Sequence, residues 1–149
     1  MGIEHGITAD DRVITGYRCH PFAVLRGGTI AGVLGELLGR QLGMSNGKGG
    51  SMHIFTPSFY GGNGIVGAQV PVGAGVAFAQ QYKEKANCTF AMYGDGASNQ
   101  GQVFEAFNMV CIVVFYCPTA SHLHLIGQAV EPPRRFRLRE QQVWNGHPR

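Results

Sequence analysis

The chain has 149 residues, 44% of them hydrophobic and 14% charged, which is a globular composition long enough for one domain with its own core. Its net charge of +3 comes from the last forty residues, because residues 1–109 hold seven Lys/Arg against seven Asp/Glu; a nucleic-acid surface would rest only on Arg134-Arg135-Phe136-Arg137-Leu138-Arg139, which reads as a solvated tail. Four cysteines without a CxxC pair give no disulfide framework, no apolar run reaches the ~18 residues of a membrane span, and the first residues have neither a secretory nor a transit layout.

Glycine is abundant, 23 of 149, and all but Gly127 and Gly146 lie before residue 110. No Gly-X-Y period is present, so this excess marks places where backbone approaches something closely. The first informative stretch, Ile14-Thr-Gly-Tyr17-Arg18-Cys-His20, ends a strand-like run with a hydroxyl, a guanidinium and an imidazole. Arg18 suits a phosphate because its fork matches two oxygens, although a single arginine is usually a surface charge. His20 precedes Pro21 and reads as structural, and His53 is equally ambiguous.

Thr29 caps a predicted helix whose apolar residues Ile30, Val33, Leu34, Leu37 and Leu38 recur at helical spacing, with Gly43 as its stop. The internal glycines Gly32, Gly35 and Gly39 weaken it, so packing must hold it. Asn46-Gly-Lys-Gly-Gly-Ser51 follows, either an anion cradle without P-loop spacing or a flexible exposed loop. The small, apolar stretch from Ile65 to Ala79 suits a helix packed against another backbone or a subunit interface, with Pro71 in its first turn.

Cys88 to Tyr93 reads as a buried strand, and Gln100 to Met109 as a helix through Val103, Phe104 and Phe107. Between them Gly94-Asp95-Gly96 places a carboxylate at the carboxyl end of a strand, where open α/β sheets bind ligands. Beside a phosphate, Asp95 makes sense as a Mg²⁺ ligand; Gly-Asp-Gly is also ordinary turn chemistry. Neither a Ser/His/Asp order nor HExxH occurs.

Taken in order, Ile14-Thr-Gly-Tyr17-Arg18, Gly47-Lys-Gly-Gly-Ser-Met-His53, Gly61 to Gln69 and Gly94 to Asn108 resemble the alpha subunits of pyruvate dehydrogenase, in the thiamine diphosphate-dependent 2-oxo acid dehydrogenase family. The resemblance covers about residues 2–109. It implies an α/β fold, the first half of a thiamine diphosphate-binding domain with a parallel sheet and helices on both faces. It also implies thiamine diphosphate and Mg²⁺ as cofactors and Asp95 as the metal ligand. Tyr17 and Arg18 would contact the diphosphate, Gly64 and Val66 the ring side, and Gly96 and Ala97 would offer backbone to the diphosphate. No catalytic residue is carried over, since the family's activating glutamate belongs to the beta subunit. The implied partners are that beta subunit, in a heterotetramer of two alpha and two beta chains, the lipoyl-bearing acetyltransferase core, and pyruvate as substrate. The implied compartment is the mitochondrial matrix, with neither nucleic acid nor membrane as a partner.

After Met109 the resemblance ends. Ungapped counting from Asp95 puts His124 and Ile126 where the family's remaining metal ligands fall, and neither suits Mg²⁺. The expected division is therefore a partial cofactor-binding domain over 1–109 and a divergent tail over 110–149, disordered by its Pro132-Pro133 and Arg-rich composition. A chain so built is expected to be incomplete and inactive alone, or to act as a non-catalytic fragment that binds the beta subunit.

Overall fold

The computed structural model describes residues 2–116. In chain order these form α1 (Gly2–Gly6), β1 (Arg12–Gly16), α2 (His20–Leu25), α3 (Ile30–Leu37), β2 (Phe59–Asn63), α4 (Gln69–Tyr82), β3 (Thr89–Ala91), α5 (Asp95–Ser98) and α6 (Gly101–Tyr116). The three strands lie in the order β2-β1-β3, and β1 is parallel to both neighbours.

Successive residues of a strand point to opposite faces, and Val13 and Ile14 of β1 are both buried, so the sheet is covered on both sides. Val13 joins Cys19, Ala23, Val33, Ile54 and Phe59 in a core under α2 and α3. Ile14 faces α4, where a Cβ on Gly73 would stand 3.2 Å from Ile14 Cγ2 and 2.7 Å from Ala91 Cβ. Only glycine lets α4 come so close to the sheet. Val70, Val103 and Ala106 form a second cluster that ties α4 to α6. The expected α/β class, a parallel sheet with helices on both faces, is thus observed.

β2 is a strand that the sequence did not announce. Its register runs Val13↔Phe59, then Thr15↔Gly62 and Gly16↔Asn63, so two residues of β1 are matched by three of β2. Gly61, at φ +81°, takes up the extra residue as a bulge. A Cβ on Gly62 would meet Cys19 Sγ at 2.8 Å and the Gly16 carbonyl at 2.8 Å. The Gly-Gly pair that weakens strand propensity is what lets β2 lie against β1.

Thr29 caps α3 as expected, its hydroxyl accepting from the Gly32 N–H at 3.0 Å. The helix ends at Leu37, and Gly39, at φ +64°, turns the chain, so the stop lies before Gly43. The orientation differs as well. Ile30 (68% exposed), Leu34, Leu37 and Leu38 (70%) face outward, and α3 buries Gly32, Val33 and Glu36. Glu36 is completely enclosed, and its carboxylate accepts from the N–H groups of Ser45, Gly47 and Gly49 at 2.7, 2.9 and 2.5 Å. The glycine-rich loop therefore does cradle an anion, and that anion is internal.

α4 carries Pro71 in its first turn. β3 is shorter than the expected strand, Thr89–Ala91, and α6 runs past Met109 without a break to Tyr116, with Val110 buried. Near the start, Arg26 is buried; its Nε donates to both carboxylate oxygens of Glu4, at 3.0 and 3.1 Å, and its Nη1 to the carbonyls of Thr8 and Asp11, at 3.0 and 2.9 Å. No helix among the described residues is long and apolar enough to cross a membrane.

Two carboxylates carry the acid sensitivity. Desolvation pushes Asp11 up, but the N–H groups of Cys88 and Thr8, the Thr8 hydroxyl and the Arg26 charge outweigh it and hold Asp11 below 3.8. Desolvation likewise pushes Glu36 up, and the N–H groups of Gly47, Ser45, Gly49 and Gly50 together hold it below 4.5. A group depressed in the folded state contributes stability above its unfolded value and loses it as pH falls through the folded one. The thermal midpoint is therefore expected to be flat above the ordinary carboxylate range and to fall below it, with Asp11→Asn removing part of the slope. Separately, Gly73→Ala is expected to destabilise by about 1–3 kcal/mol, read as a lowered denaturant midpoint.

Candidate functional site

Because the three strands are parallel, their carboxyl ends lie together. Gly16 of β1 leads into Tyr17 and Arg18, Asn63 of β2 into Gly64 and Val66, and Ala91 of β3 into Met92, Gly94 and α5. These segments enclose one open cavity of about 570 Å³, within the range of small-molecule sites. All seven residues singled out in the sequence, Tyr17, Arg18, Gly64, Val66, Asp95, Gly96 and Ala97, line it.

On the β1 wall Tyr17 is exposed, and the Arg18 guanidinium lies 5.7 Å from its ring centroid, a cation–π contact that steadies the charge at the mouth. Cys19 turns the other way, into the core, where its Sγ donates to the Met52 carbonyl at 3.3 Å. Burial pushes its thiol up, so Cys19 is a packing residue rather than a nucleophile.

The β3 wall is made of backbone. Gly94 is extended and its carbonyl takes the N–H groups of Ala97 and Ser98, each at 3.1 Å. At the start of α5 the N–H groups of Asp95 and Gly96 have no intrahelical acceptor. Of the two backbone donors expected for an anion, Gly96 is thus available and Ala97 is already engaged. A Cβ on Gly94 or Gly96 would meet nothing within 4 Å, so both border open space. Asp95 is exposed on this wall, with Arg18 on the other. A cation and a carboxylate across a cavity suit a phosphate group bridged by a divalent ion.

The β2 wall ends in exposed Ile65 and Val66, an apolar edge for a flat ring. Gln102 of α6 holds this edge by donating from Nε2 to the Val66 carbonyl at 2.6 Å. Below it Gln69, the first residue of α4, is buried and donates from Nε2 to the Met92 carbonyl at 3.1 Å. A carbonyl only accepts, so the amide orientation is fixed, and Gln69 Oε1 is left buried without a partner among the described residues. An orphaned acceptor in a cavity lining is costly, and a donor on a bound ligand would relieve it.

Sequence reasoning missed Asn63, Gly67 and Gln69, which also line the cavity. Gln69, a lone amide in an otherwise small and apolar run, was the available signal. His20 and His53 are both engaged with backbone, Nε2 of His20 with the Ser51 carbonyl at 2.5 Å and Nδ1 of His53 with the Gly49 carbonyl at 3.1 Å. A second cavity of about 500 Å³ adjoins the first through Tyr17 and Arg18 and is lined also by His20 and Met52. Among the described residues no group of three His, Cys, Asp or Glu could hold a metal. Asp95 is a single hard oxygen donor, which fits Mg²⁺ where phosphate oxygens and waters complete the shell. His124 and Ile126 lie outside the described residues.

The family model described as dehydrogenase E1 component matches residues 1–119. The chain is 65% identical over 120 residues to the mitochondrial pyruvate dehydrogenase E1 component subunit alpha of Schizosaccharomyces pombe, covering 78% of this chain and 29% of that protein. It is 68% identical over 109 residues to the Chaetomium thermophilum subunit, covering 73% and 26%, and 54% identical over 135 residues to that of Sminthopsis macroura, covering 88% and 37%. The chain thus spans from about a quarter to somewhat over a third of the curated relatives it matches.

Gln102→Ala removes the bond that holds the β2 edge. It is expected to cost about 1 kcal/mol and to quicken amide exchange over residues 64–67, with β1 and β3 unchanged.

Proposed function

The chain belongs to the dehydrogenase E1 component family, and on that basis we propose that its cavity is the diphosphate side of a thiamine diphosphate site, with Asp95 as a ligand to Mg²⁺. The observation that carries this reading is the meeting of Tyr17, Arg18, Gly64, Val66, Asp95, Gly96 and Ala97, from three separate segments, around one cavity. Bound thiamine diphosphate would supply the electron sink that lets pyruvate lose CO₂ before a two-carbon unit passes to a lipoyl group.

The chain's own part is binding and orientation. The Arg18 fork neutralises diphosphate oxygens, and the Tyr17 hydroxyl can donate to the same group. Gly96 offers a free N–H to the anion, while Ala97 closes the wall. Gly64 leaves room for a ring, and Val66 gives it an apolar surface that keeps water off. Asp95 holds the divalent ion that makes a carboxylate tolerable beside phosphate.

As its relatives are named subunits of mitochondrial pyruvate dehydrogenase, the proposed place of action is the mitochondrial matrix. The proposed partners are a beta subunit, in a two-alpha, two-beta assembly, and a lipoyl-bearing acetyltransferase core. A beta-subunit glutamate would activate the cofactor, so the chain alone is proposed to be inactive. The division into a partial cofactor-binding domain and a divergent tail is kept as a proposal, while the family match reaches residue 119 and α6 crosses residue 109. A second reading, a non-catalytic chain that occupies the beta subunit, is favoured by exposed Val72, Phe78 and Tyr82 on α4.

Calorimetric titration tests the cofactor reading. The chain is expected to bind thiamine diphosphate weakly and only with Mg²⁺, more tightly once the beta subunit is present. Asp95→Asn should weaken binding about tenfold or more, the scale of a lost charge-assisted contact. Undiminished affinity and unchanged Mg²⁺ dependence in Asp95→Asn would overturn the assignment.

A further inference from the structure

Glu36 lies outside the cavity yet is connected to it. Its carboxylate is wholly enclosed and is held by three backbone N–H groups of the loop that follows α3. The one salt bridge among the described residues joins Arg26 to Glu4, so the Glu36 charge is balanced by peptide dipoles arranged as a nest. The loop is built around that charge. Gly47 is at φ +74°, and a Cβ there would stand 2.6 Å from the Gly39 carbonyl carbon. A Cβ on Gly43 would strike the Glu36 carboxylate itself.

The loop's return leg is the cavity's outer support. Ser45 Oγ donates to the His53 carbonyl at 2.7 Å, tying the nest to residues 51–53. The Met52 carbonyl then accepts from Cys19 Sγ at 3.3 Å and from the Gly62 N–H at 3.1 Å, and the Ser51 carbonyl meets His20 Nε2 at 2.5 Å. Cys19 and His20 directly follow Arg18, and Gly62 lies two residues before Gly64. Met52 Sδ also lies 3.3 Å from where a Gly64 Cβ would be. Two walls of the cavity thus lean on one loop, and the loop is closed on one carboxylate.

We propose that Glu36 is a positioning residue for this cavity: through the 43–53 loop it fixes the Arg18 wall and the Gly64 wall at the separation that a diphosphate requires. The ligand named here rests on the function proposed above; the mechanical link does not. In Glu36→Gln an amide NH₂ replaces one oxygen and faces N–H donors, so part of the nest is left unsatisfied while volume is kept.

The test is amide hydrogen exchange on the full chain, with Gly73→Ala as a control for destabilisation on the other face of the sheet. Glu36→Gln is expected to speed exchange about tenfold over 43–53 and also over 18–20 and 62–66, leaving 89–91 unchanged. It should also weaken Mg²⁺-dependent binding of inorganic diphosphate. Exchange that rises only within 43–53, or equally everywhere as in the control, overturns the proposal. Glu36→Asp, which keeps the charge on a shorter stem, should show the same pattern more weakly. Failure of both variants to fold would also overturn it, by making Glu36 a requirement of the fold rather than of the rim. If the unaltered chain binds neither diphosphate nor thiamine diphosphate, the cofactor reading fails, and the exchange pattern still decides the role of Glu36.

Discussion

The cavity exists because β1 is paired on both sides in the same direction. Parallel pairing of β1 with β2 and with β3 forces three chain segments, distant in sequence, to finish at one edge of the sheet. Each segment then contributes what its own sequence supplies: an aromatic hydroxyl and a guanidinium after β1, glycine and an apolar edge after β2, a carboxylate and free peptide N–H after β3. Had any of the strands run antiparallel, its contribution would lie at the opposite end. The two helical layers serve this arrangement, since a parallel sheet must be covered on both faces before its ends can be held still.

How much of this was legible depended on whether local chemistry or long-range contact decided each element. Thr29 before an apolar run, Pro71 in a first turn and Asp95 after a short strand are local signals, and the structure has all three. β2 was hidden because Gly61 and Gly62 lack strand propensity; Gly61 supplies the left-handed turn of the bulge, and Gly62 approaches Cys19 and Gly16, residues more than forty positions away. The face of α3 was misjudged for a related reason. Spacing identifies a stripe of leucines but not what covers it, and here the enclosed side holds Gly32, Val33 and a carboxylate. Glu36 carried no signal in the sequence because its partners are the peptide N–H groups of Ser45, Gly47 and Gly49, which no side-chain pattern records. The cavity residues Asn63 and Gln69 escaped for the same reason, each given its place by pairing or packing rather than by its neighbours.

Charge is handled in two ways in this molecule. Arg26 and Glu4 pair directly in a buried corner, where each meets the other's charge. Glu36 is matched by dipoles alone, which give directional constraint without a second ionisable group. Exposed Arg18 and Asp95 follow neither pattern: both line the same cavity, and no ion pair among the described residues joins them.

The bulge at Gly61 acts as a change of phase within β2. Counting by twos from Phe59, which packs in the core beneath α2, would send Asn63 to that same side. The extra residue shifts the alternation, so Gly62 takes the inward place against Cys19 and Asn63 pairs with Gly16 on the opposite face, among the cavity residues. The amide at the mouth of the cavity therefore owes its address to a glycine two positions earlier. A redesign of this strand by alternation alone would exchange its dry side for its wet one.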